Sequence, residues 1–277
     1  MLCSPYAVLE LDDLQPLLYP LFPFFPVFLL LRNFYQTLTH FEMASFADES
    51  LLSDLVETVL IYSDSLGMNE QELPNLYSIL HSGSLTLISD PYPRVAGVLD
   101  QMRAVFNLLE TTPREDGKRP LTRLHVHTLA YQVGSFQWEF SSLQEKYSKL
   151  SLFLKFDTKI RKFIHDYDRF QAIMTLKDSA WKDSRGAAAK ASLTANRHIC
   201  GEAEIDVGKA KILMDDGFSS SREAGSRRID FDPEHPVSCW DEEDVEICVA
   251  PVLVCLKVKQ TAGGGDNISS AGLLYNI

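Results

Sequence analysis

The chain has 277 residues, of which 45% are hydrophobic and 23% are charged, and this composition is typical of a globular protein with one large domain or two small ones. Its formal net charge of -12 makes the surface as a whole repel nucleic acid and anionic membranes, so we expect no nucleic-acid partner. Five cysteines without a CxxC pair indicate neither a zinc knuckle nor a disulfide framework, which leaves buried free thiols as the default interpretation. A bridge between Cys239 and Cys248 in an oxidising compartment is the alternative.

An apolar run at residues 16–31 is the first unusual feature along the chain. A signal peptide or a membrane anchor is one interpretation, but the prolines within the run would interrupt a helix in lipid. Acidic side chains also precede the run where a signal peptide carries basic ones, and the run is short for a membrane span. We therefore interpret residues 1–38 as an atypical hydrophobic, Pro-rich leader and expect no clear membrane span.

Two amphipathic helices are predicted after this leader. Apolar residues recur with the helical period over residues 51–62, and Gly67 is expected to end this first helix. Asn69 followed by Glu72 has the pattern of an N-cap with its capping box, which predicts a second helix over residues 69–80.

The middle of the chain alternates between helix and strand. Residues 95–109 carry a third apolar helical face, residues 111–120 have the composition of a solvated loop, and residues 121–131 alternate as a strand does. This alternation favours an α/β sandwich. Residues 137–180 mix basic and aromatic side chains without a clean apolar face and contain neither Gly nor Pro, so a solvated helical insertion is predicted there.

The C-terminal segment ends in a strand, a glycine-rich turn and a helix. Residues 223–227 are predicted to form a turn, residues 245–249 a half-exposed strand, and residues 252–255 a buried strand. The glycines at 263–265 then lead into Asp266 and a helical apolar pattern. Such a turn presents backbone N–H groups and the positive end of the helix dipole to an anion, and Asp266 is placed to take a proton from an attacking hydroxyl. An ordinary loop with Asp266 as the helix N-cap is the alternative.

Four stretches of the sequence share a common resemblance. They are HFEMAS at residues 40–45, LGMNEQEL at 66–73, EAGSR at 223–227, and PVLVC at 251–255 leading to GGGDNIS at 263–269. Together they resemble the C-terminal half of the eukaryotic ADP-dependent glucokinases, which are ADP-dependent sugar kinases of the ribokinase-like superfamily. Their order and rough spacing agree with that family, as does LHVHTL at residues 124–129. The resemblance covers residues 39–135 and 181–277.

The resemblance implies a ribokinase-like three-layer α/β/α sandwich over residues 39–277, interrupted by the basic insertion at residues 137–180. In that family an N-terminal half forms the lid, the start of the sheet and most of the sugar pocket, and no stretch of this sequence resembles it. We therefore expect an incomplete fold in which the lid and the N-terminal half are missing. The abrupt change of character at residues 1–38 and 137–180 leads to the hypothesis that both segments come from translated non-coding sequence or from a faulty gene model.

The resemblance also assigns the glycine-rich turn. The family's GxGD motif falls on Gly263, Gly264, Gly265 and Asp266. This match implies that the three glycines bind phosphate and that Asp266 is the catalytic base for the sugar hydroxyl.

Two further motifs of the family imply a magnesium site. HxE falls on His40 and Glu42, and NxxE falls on Asn69 and Glu72. In the family the two glutamates organise Mg²⁺ together with the aspartate of the turn, and His40 and Asn69 support them. Such a site agrees with the chemistry of Mg²⁺, which keeps much of its water and takes few carboxylate contacts. On the residues alone, Asn69 and Glu72 are equally a capping box, and Glu42 is a solvated carboxylate before a helix.

Two other features have competing interpretations. His125 and His127 share one face of the predicted strand and resemble a metal pair, yet no nearby carboxylate or cysteine completes a site, so we favour packing or a polar contact near the nucleotide. Arg227 follows a turn and either meets a phosphate or is a surface arginine, and we favour the surface role.

The function implied by the resemblance is Mg²⁺-dependent transfer of the β-phosphoryl group of ADP to the 6-hydroxyl of glucose, giving glucose 6-phosphate and AMP for glycolysis. A catalytically inactive fragment that binds nucleotide is one alternative, and an ATP-dependent sugar kinase of the ribokinase type is another. We expect ADP and glucose as substrates, a monomer, and, by resemblance, the endoplasmic reticulum or secretion as the location.

Overall fold

A computed structural model describes residues 8–9, 38–46, 48–85, 94–111, 120–128, 169–201, 210–212, 218–230, 232, 234–255, 258–260 and 262–276. The strands are β1 (Val8–Leu9), β2 (His40–Glu42), β3 (Ser65–Asn69), β4 (Arg123–His127), β5 (Phe170–Leu176), β6 (Ala210–Ile212), β7 (Ser238–Glu242), β8 (Val245–Pro251) and β9 (Leu253–Cys255). The helices are α1 (Glu49–Thr58), a 3-10 turn (Leu60–Tyr62), α2 (Glu72–Ser82), α3 (Val95–Thr111), α4 (Ser184–Cys200) and α5 (Gly264–Tyr275).

Seven of these strands form one mixed sheet in the order β1-β2-β3-β4-β5-β8-β7. The first four strands are parallel to one another, and β5, β8 and β7 continue the sheet with antiparallel pairings. β6 and β9 pair separately as an antiparallel ribbon. Because β2, β3 and β4 are parallel, their carboxyl ends meet at one edge of the sheet, which is where α/β proteins place their ligands.

Helices cover both faces of the sheet. One face packs α1, α2 and α3 against a large apolar core that contains Leu66, Leu124 and Met174. The opposite face carries α4 and α5, and Ile173 and Cys248 belong to the smaller apolar clusters on this side. The alternation of strand residues separates the two cores, since neighbouring side chains point to opposite faces. The three-layer α/β/α prediction is therefore confirmed.

Several predicted elements are confirmed with shifted ends. The third helix is α3, the strand predicted at residues 121–131 is β4, and the alternating strand at 245–249 is β8. The apolar run at residues 252–255 forms β9, although this strand lies in the small ribbon and not in the main sheet. The predicted solvated loop at residues 111–120 falls almost entirely outside the described residues.

The prediction that Gly67 ends a helix is wrong. α1 ends at Thr58, and Gly67 lies inside β3, paired with both Glu42 and His125. A Cβ added at Gly67 would lie 1.9 Å from Glu42 Oε2. The glycine is needed here for close approach of a neighbouring side chain and not for helix termination.

The prediction of a solvated helix over residues 137–180 is wrong at residues 170–176. β5 is buried in the sheet between β4 and β8, because Phe170, Ala172 and Met174 face the large core while Ile173 faces α4. A strand at this position argues against non-coding origin for this part. Residues 137–168 lie outside the described residues, and the division into leader, kinase-like part and insertion stays a prediction. Val8–Leu9, within the predicted leader, pair with β2.

The expectation of free thiols is wrong for four cysteines. Cys239 and Cys248 face each other in the β7–β8 register and form a disulfide, as the alternative interpretation proposed. A second disulfide joins Cys200 at the end of α4 to Cys255 in β9. None of the helices in the described ranges is both long enough and apolar enough to cross a membrane.

Candidate functional site

A layer of polar side chains lies on the face of β2, β3 and β4 that α5 covers. In β2, Phe41 enters the large core, so the alternation turns His40 and Glu42 to the α5 side. In β4, the same alternation turns His125 and His127 to that side, and both rings are buried. Glu42 and His127 are the last residues of β2 and β4, so this part of the polar layer lies at the carboxyl ends of the parallel strands.

Glu42 is the centre of this layer and is only 5% exposed. His127 Nε2 lies 2.8 Å from Glu42 Oε1, and His40 Nε2 lies 3.3 Å from Glu42 Oε2. A carboxylate only accepts hydrogen bonds, so both imidazoles donate to it. Each oxygen of the carboxylate thus has its own histidine donor.

The protonation states follow from burial and these hydrogen bonds. Burial raises the pKa of Glu42, but the hydrogen bonds from His127 and His40 outweigh it and hold the pKa below its usual value. Burial lowers the pKa of His127, but the hydrogen bond and the charge of Glu42 outweigh it and raise that pKa. Burial lowers the pKa of His40 despite its bond to Glu42. The lowered pKa of Glu42 and the raised pKa of His127 favour an ion pair between these buried side chains, and the lowered pKa of His40 favours its neutral form.

Glu72 is a second buried carboxylate, at the first position of α2. Its Oε2 accepts the backbone N–H of Asn69 at 2.8 Å, and Asn69 Oδ1 accepts the backbone N–H of Glu72 at 2.9 Å. This reciprocal pair confirms the capping-box interpretation, although the N-cap residue is Gln71. Burial raises the pKa of Glu72 to about 7, against the opposing effect of the Asn69 N–H, and the charge of Glu42 adds to the increase.

The glycine-rich turn places the N-terminus of α5 on the ion pair. Gly263 adopts a left-handed conformation with φ 67°, and it is the N-cap of α5 with no side-chain cap. A Cβ added at Gly265 would lie 3.1 Å from His127 Cε1 and 3.7 Å from Glu42 Oε1. The alternative in which Asp266 is the N-cap is therefore wrong, since Asp266 lies within the first turn and is half-buried.

The predicted carboxylates are not gathered into one cage. Among the residues that the structure describes, the ligand atoms of Glu42, Glu72 and Asp266 do not all lie within 4.8 Å of one another. Mg²⁺ does not need such a cage, because it keeps several waters and takes one or two protein carboxylates beside phosphate oxygens. Glu72 fits a cation for a further reason, since burial beside Glu42 raises its pKa to about 7 and a nearby cation would offset that effect.

The histidine pair does not form a metal site in the described part of the chain. His125 Nε2 lies 3.2 Å from Gln171 Oε1, and its ring meets His127 edge-on. Within the described ranges, only one set of His, Cys, Asp or Glu side chains is close enough together to hold a metal ion. It consists of Cys239, Glu246 and Cys248, and its two cysteines are joined as a disulfide.

Arg227 behaves as a surface residue. Its guanidinium lies over the Trp240 ring, 5.9 Å from the ring centroid, and the side chain is exposed. This contact agrees with the surface role favoured from the sequence, and the predicted turn at residues 223–227 is present with a hydrogen bond from Ser226 N to Glu223 O.

The polar layer contains residues that the sequence interpretation did not assign to the site. They are Ser65, Arg123, Gln171 and Ser269. A usable signal existed for part of this set, because Arg123, His125 and His127 fall at alternate positions of a strand whose intervening residues are apolar. Three polar residues on one face of a buried strand need partners, and such partners mark a polar site.

Comparison with known proteins relates this geometry to a family. A family model described as the ADP-specific phosphofructokinase/glucokinase conserved region matches residues 28–152 and 141–275. An ADP-dependent glucokinase from Bos taurus is 30% identical over 240 residues, and a probable ADP-dependent glucokinase from Caenorhabditis elegans is 26% identical over 250 residues. Each alignment covers 86% of this chain, but the chain spans only 40% and 41% of the lengths of these relatives.

A solved structure shares the fold. It is described as the last common ancestor of ADP-dependent phosphofructokinases from Methanosarcinales, and it matches with a TM-score of 0.50 and 13% identity. The match covers 88% of this chain and 43% of that chain. At this identity the likeness concerns the fold alone, and it confirms the ribokinase-like prediction.

Proposed function

Because the chain belongs to the ADP-specific phosphofructokinase/glucokinase family, we propose that it serves Mg²⁺-dependent phosphoryl transfer from ADP to the 6-hydroxyl of glucose, giving glucose 6-phosphate and AMP as a step of glycolysis. The observation that carries this proposal is the placement of the α5 N-terminus on the buried Glu42–His127 pair. A helix N-terminus preceded by a glycine turn is an anion site, and here it lies at the carboxyl edge of the parallel strands.

The donor phosphates are proposed to bind at Gly263, Gly264 and Gly265. The positive end of the α5 dipole and the backbone N–H groups of the turn attract phosphate oxygens. His127 lies beside the same turn, and its raised pKa favours the positively charged form of the ring there. Charge that develops on the transferring group is thereby stabilised by groups already in place.

Asp266 is proposed as the catalytic base. It lies in the first turn of α5, directly after the phosphate-binding glycines, so its carboxylate is close to the point where an attacking hydroxyl meets the phosphoryl group. The base takes the hydroxyl proton as the new O–P bond forms and the bond to AMP breaks.

Glu42, Glu72 and Asp266 are the residues that would hold Mg²⁺, with His40 and Asn69 orienting the two glutamates. When bound, the cation neutralises phosphate charge. His40 and His127 hold the two oxygens of Glu42. Asn69 holds Glu72 through its backbone N–H and its side-chain amide, and both of these hydrogen bonds are 2.8 Å long. The carboxylates are thus oriented before any ligand arrives.

A coupled assay of glucose 6-phosphate formation from ADP tests the proposal. We expect activity in the presence of Mg²⁺ and a loss of at least about 100-fold in Asp266→Asn, which keeps the shape of the side chain but cannot accept the proton. Activity equal in the two proteins would remove the base assignment. Activity with ATP but not ADP would favour a ribokinase-type enzyme.

Nucleotide binding without catalysis is the second candidate function. It requires only the glycine turn at the N-terminus of α5 and no sugar-binding residues. Titration calorimetry with ADP and AMP separates the two, since binding without glucose 6-phosphate formation supports the second candidate. Absence of both binding and turnover contradicts both.

We also propose a monomer located in the endoplasmic reticulum or secreted. The disulfides Cys200–Cys255 and Cys239–Cys248 support an oxidising compartment, because such bonds are rare in the cytosol. Thiol labelling of protein taken directly from its natural source tests this location, and reactive thiols at all four cysteines would contradict it. Size-exclusion chromatography with light scattering tests the monomer.

A further inference from the structure

A chain of hydrogen bonds runs beneath α5 from the C-terminal end of the helix to the ion pair. Arg123 Nε donates to Asn276 Oδ1 at 2.9 Å, and Arg123 Nη1 donates to Ser65 Oγ at 3.0 Å. Ser65 Oγ lies 2.9 Å from His40 Nδ1, and His40 Nε2 reaches Glu42 Oε2 at 3.3 Å. Every side chain in this sequence of contacts is buried.

Arg123 is the least expected residue in this series of hydrogen bonds. Its side chain is 0% exposed, and Arg is almost never fully buried without an anionic partner. Both hydrogen-bond acceptors that the described residues offer it are neutral, and Nη2 has no partner among them. An apolar residue stacked on Trp181 would fill this space with less desolvation, so packing alone does not explain a guanidinium here.

Asn276 fixes the other end of the contact. It is the C-cap of α5 and is fully buried. Its Nδ2 donates to Lys182 O at 2.6 Å, and its own carbonyl accepts the N–H of Lys182 at 2.5 Å. Arg123 therefore holds a residue that joins α5 to the segment in front of α4.

The two ends of α5 meet the two ends of β4. Arg123 begins the strand and binds Asn276 after the helix, while His127 ends the strand, and its Cε1 lies 3.1 Å from the point where a Cβ of Gly265 would be. The helix has 12 residues and is about 18 Å long, so a small tilt at its C-terminal end displaces its N-terminal turn. Contacts at both ends prevent that tilt.

We propose that Arg123 is a positioning residue. Through its contact with Asn276, and through Ser65 and His40, it keeps the N-terminal turn of α5 in place beside Glu42. The inference rests on the proposed function for the statement that this turn binds the outer phosphate of ADP. It does not rest on that function for the statement that Arg123 sets the position of α5.

Hydrogen exchange is the readout that does not depend on a ligand. In Arg123→Met, we expect the amides of residues 264–272 to exchange at least about 10-fold faster than in the wild type, because local opening of the helix becomes easier. Arg103→Met is the matched control, since it also removes a partly buried arginine but acts on the Glu242 contact at the β7–β8 hairpin. The control is expected to leave the exchange of residues 264–272 unchanged.

Nucleotide titration is the second readout. A tilted turn loses contact with the outer phosphate before it loses contact with the rest of the nucleotide, so Arg123→Met should reduce the ratio of ADP affinity to AMP affinity by about tenfold. Asn276→Leu is expected to reproduce this loss, and Asn276→Asp, which keeps an oxygen for Arg123, is expected to restore most of the ratio. A general loss of stability lowers both affinities and leaves the ratio unchanged.

The outcomes are distinguishable. Equal exchange at residues 264–272 in Arg123→Met and Arg103→Met overturns the inference. Faster exchange with an unchanged affinity ratio, in a wild type that binds both nucleotides, shows a structural role and also overturns it. If the wild type binds neither nucleotide, the proposed function fails, and the exchange experiment alone then supports or overturns the positioning of α5 by Arg123.

Discussion

The two faces of the central sheet use the same strands for different purposes. On one face of β4, Leu124 and Val126 enter a continuous apolar core under α1, α2 and α3. On the other face, Arg123, His125 and His127 form part of a buried polar layer under α5. Apolar burial is favourable in proportion to area, whereas each buried polar group needs a partner. The comparison indicates that the first face stabilises the fold by apolar burial, while the second face holds buried polar groups that need one another as partners.

The largest effect is expected from removing the centre of the polar face. Glu42→Ala leaves the buried imidazolium of His127 without its partner, and we expect a loss of about 4 kcal/mol in unfolding free energy. Urea denaturation measures this loss. Glu42→Gln is the control, because it removes the charge but keeps the side-chain volume, and a loss much smaller than that of Glu42→Ala would show that packing and not charge pairing dominates.

A slightly smaller effect is expected on the apolar face. Leu124→Ala opens a cavity in the large core and should reduce the unfolding free energy by about 3 kcal/mol. Unlike changes to the polar face, it should leave the ratio of ADP to AMP affinity unchanged. Leu124→Met keeps the volume and should cost less than about 1.5 kcal/mol. An altered affinity ratio in Leu124→Ala would remove the functional distinction between the faces.

The close contact between β2 and β3 provides a sharper test. Gly67→Ala places a Cβ 1.9 Å from Glu42 Oε2, so the carboxylate must move, and we expect a loss of about 2 kcal/mol together with weaker nucleotide binding. Gly83→Ala serves as the comparison, since its Cβ meets nothing within 4 Å but its φ of 68° strains any side chain. Weaker nucleotide binding in both variants would contradict a specific role for the Glu42 contact.

The smallest effect is expected far from the polar layer, at the ion pair of Arg103 with Glu242. Both guanidinium contacts are 2.7 Å long, and the hydrogen bond from Arg103 holds the pKa of Glu242 below its usual 4.5. A depressed folded-state pKa stabilises the fold above the unfolded pKa, and that contribution is lost as the pH falls through the folded value.

Glu242→Gln measures this contribution. The variant should be about 1 kcal/mol less stable than the wild type at pH 7, and the difference should shrink below pH 4.5 as Glu242 takes up a proton. Thermal unfolding at several pH values provides the comparison. A difference that stays constant down to pH 3 would show that the ion pair does not cause it.

The sequence predicted part of the site and much of the fold. The match of the GxGD, HxE and NxxE motifs selected Glu42, Glu72 and Asp266, and the structure places Glu42 against the glycine turn. The sequence did not predict that His127 pairs with Glu42, because the two residues are 85 positions apart and the residues around each of them do not indicate its partner. The catalytic and metal-binding roles of these carboxylates stay predictions.

The local sequence pattern by itself determined the elements that have a long apolar period or a chemically distinctive motif. The apolar period of α3, the alternation of β4 and β8, and the glycines before α5 each reflect constraints within a few residues. Only the tertiary structure decided that Gly67 belongs to a strand, that residues 170–176 complete the sheet, and that Arg123 binds Asn276. The physical reason is that strand pairing and buried polar contacts join residues distant in sequence, so their energies depend on partners that no local pattern specifies.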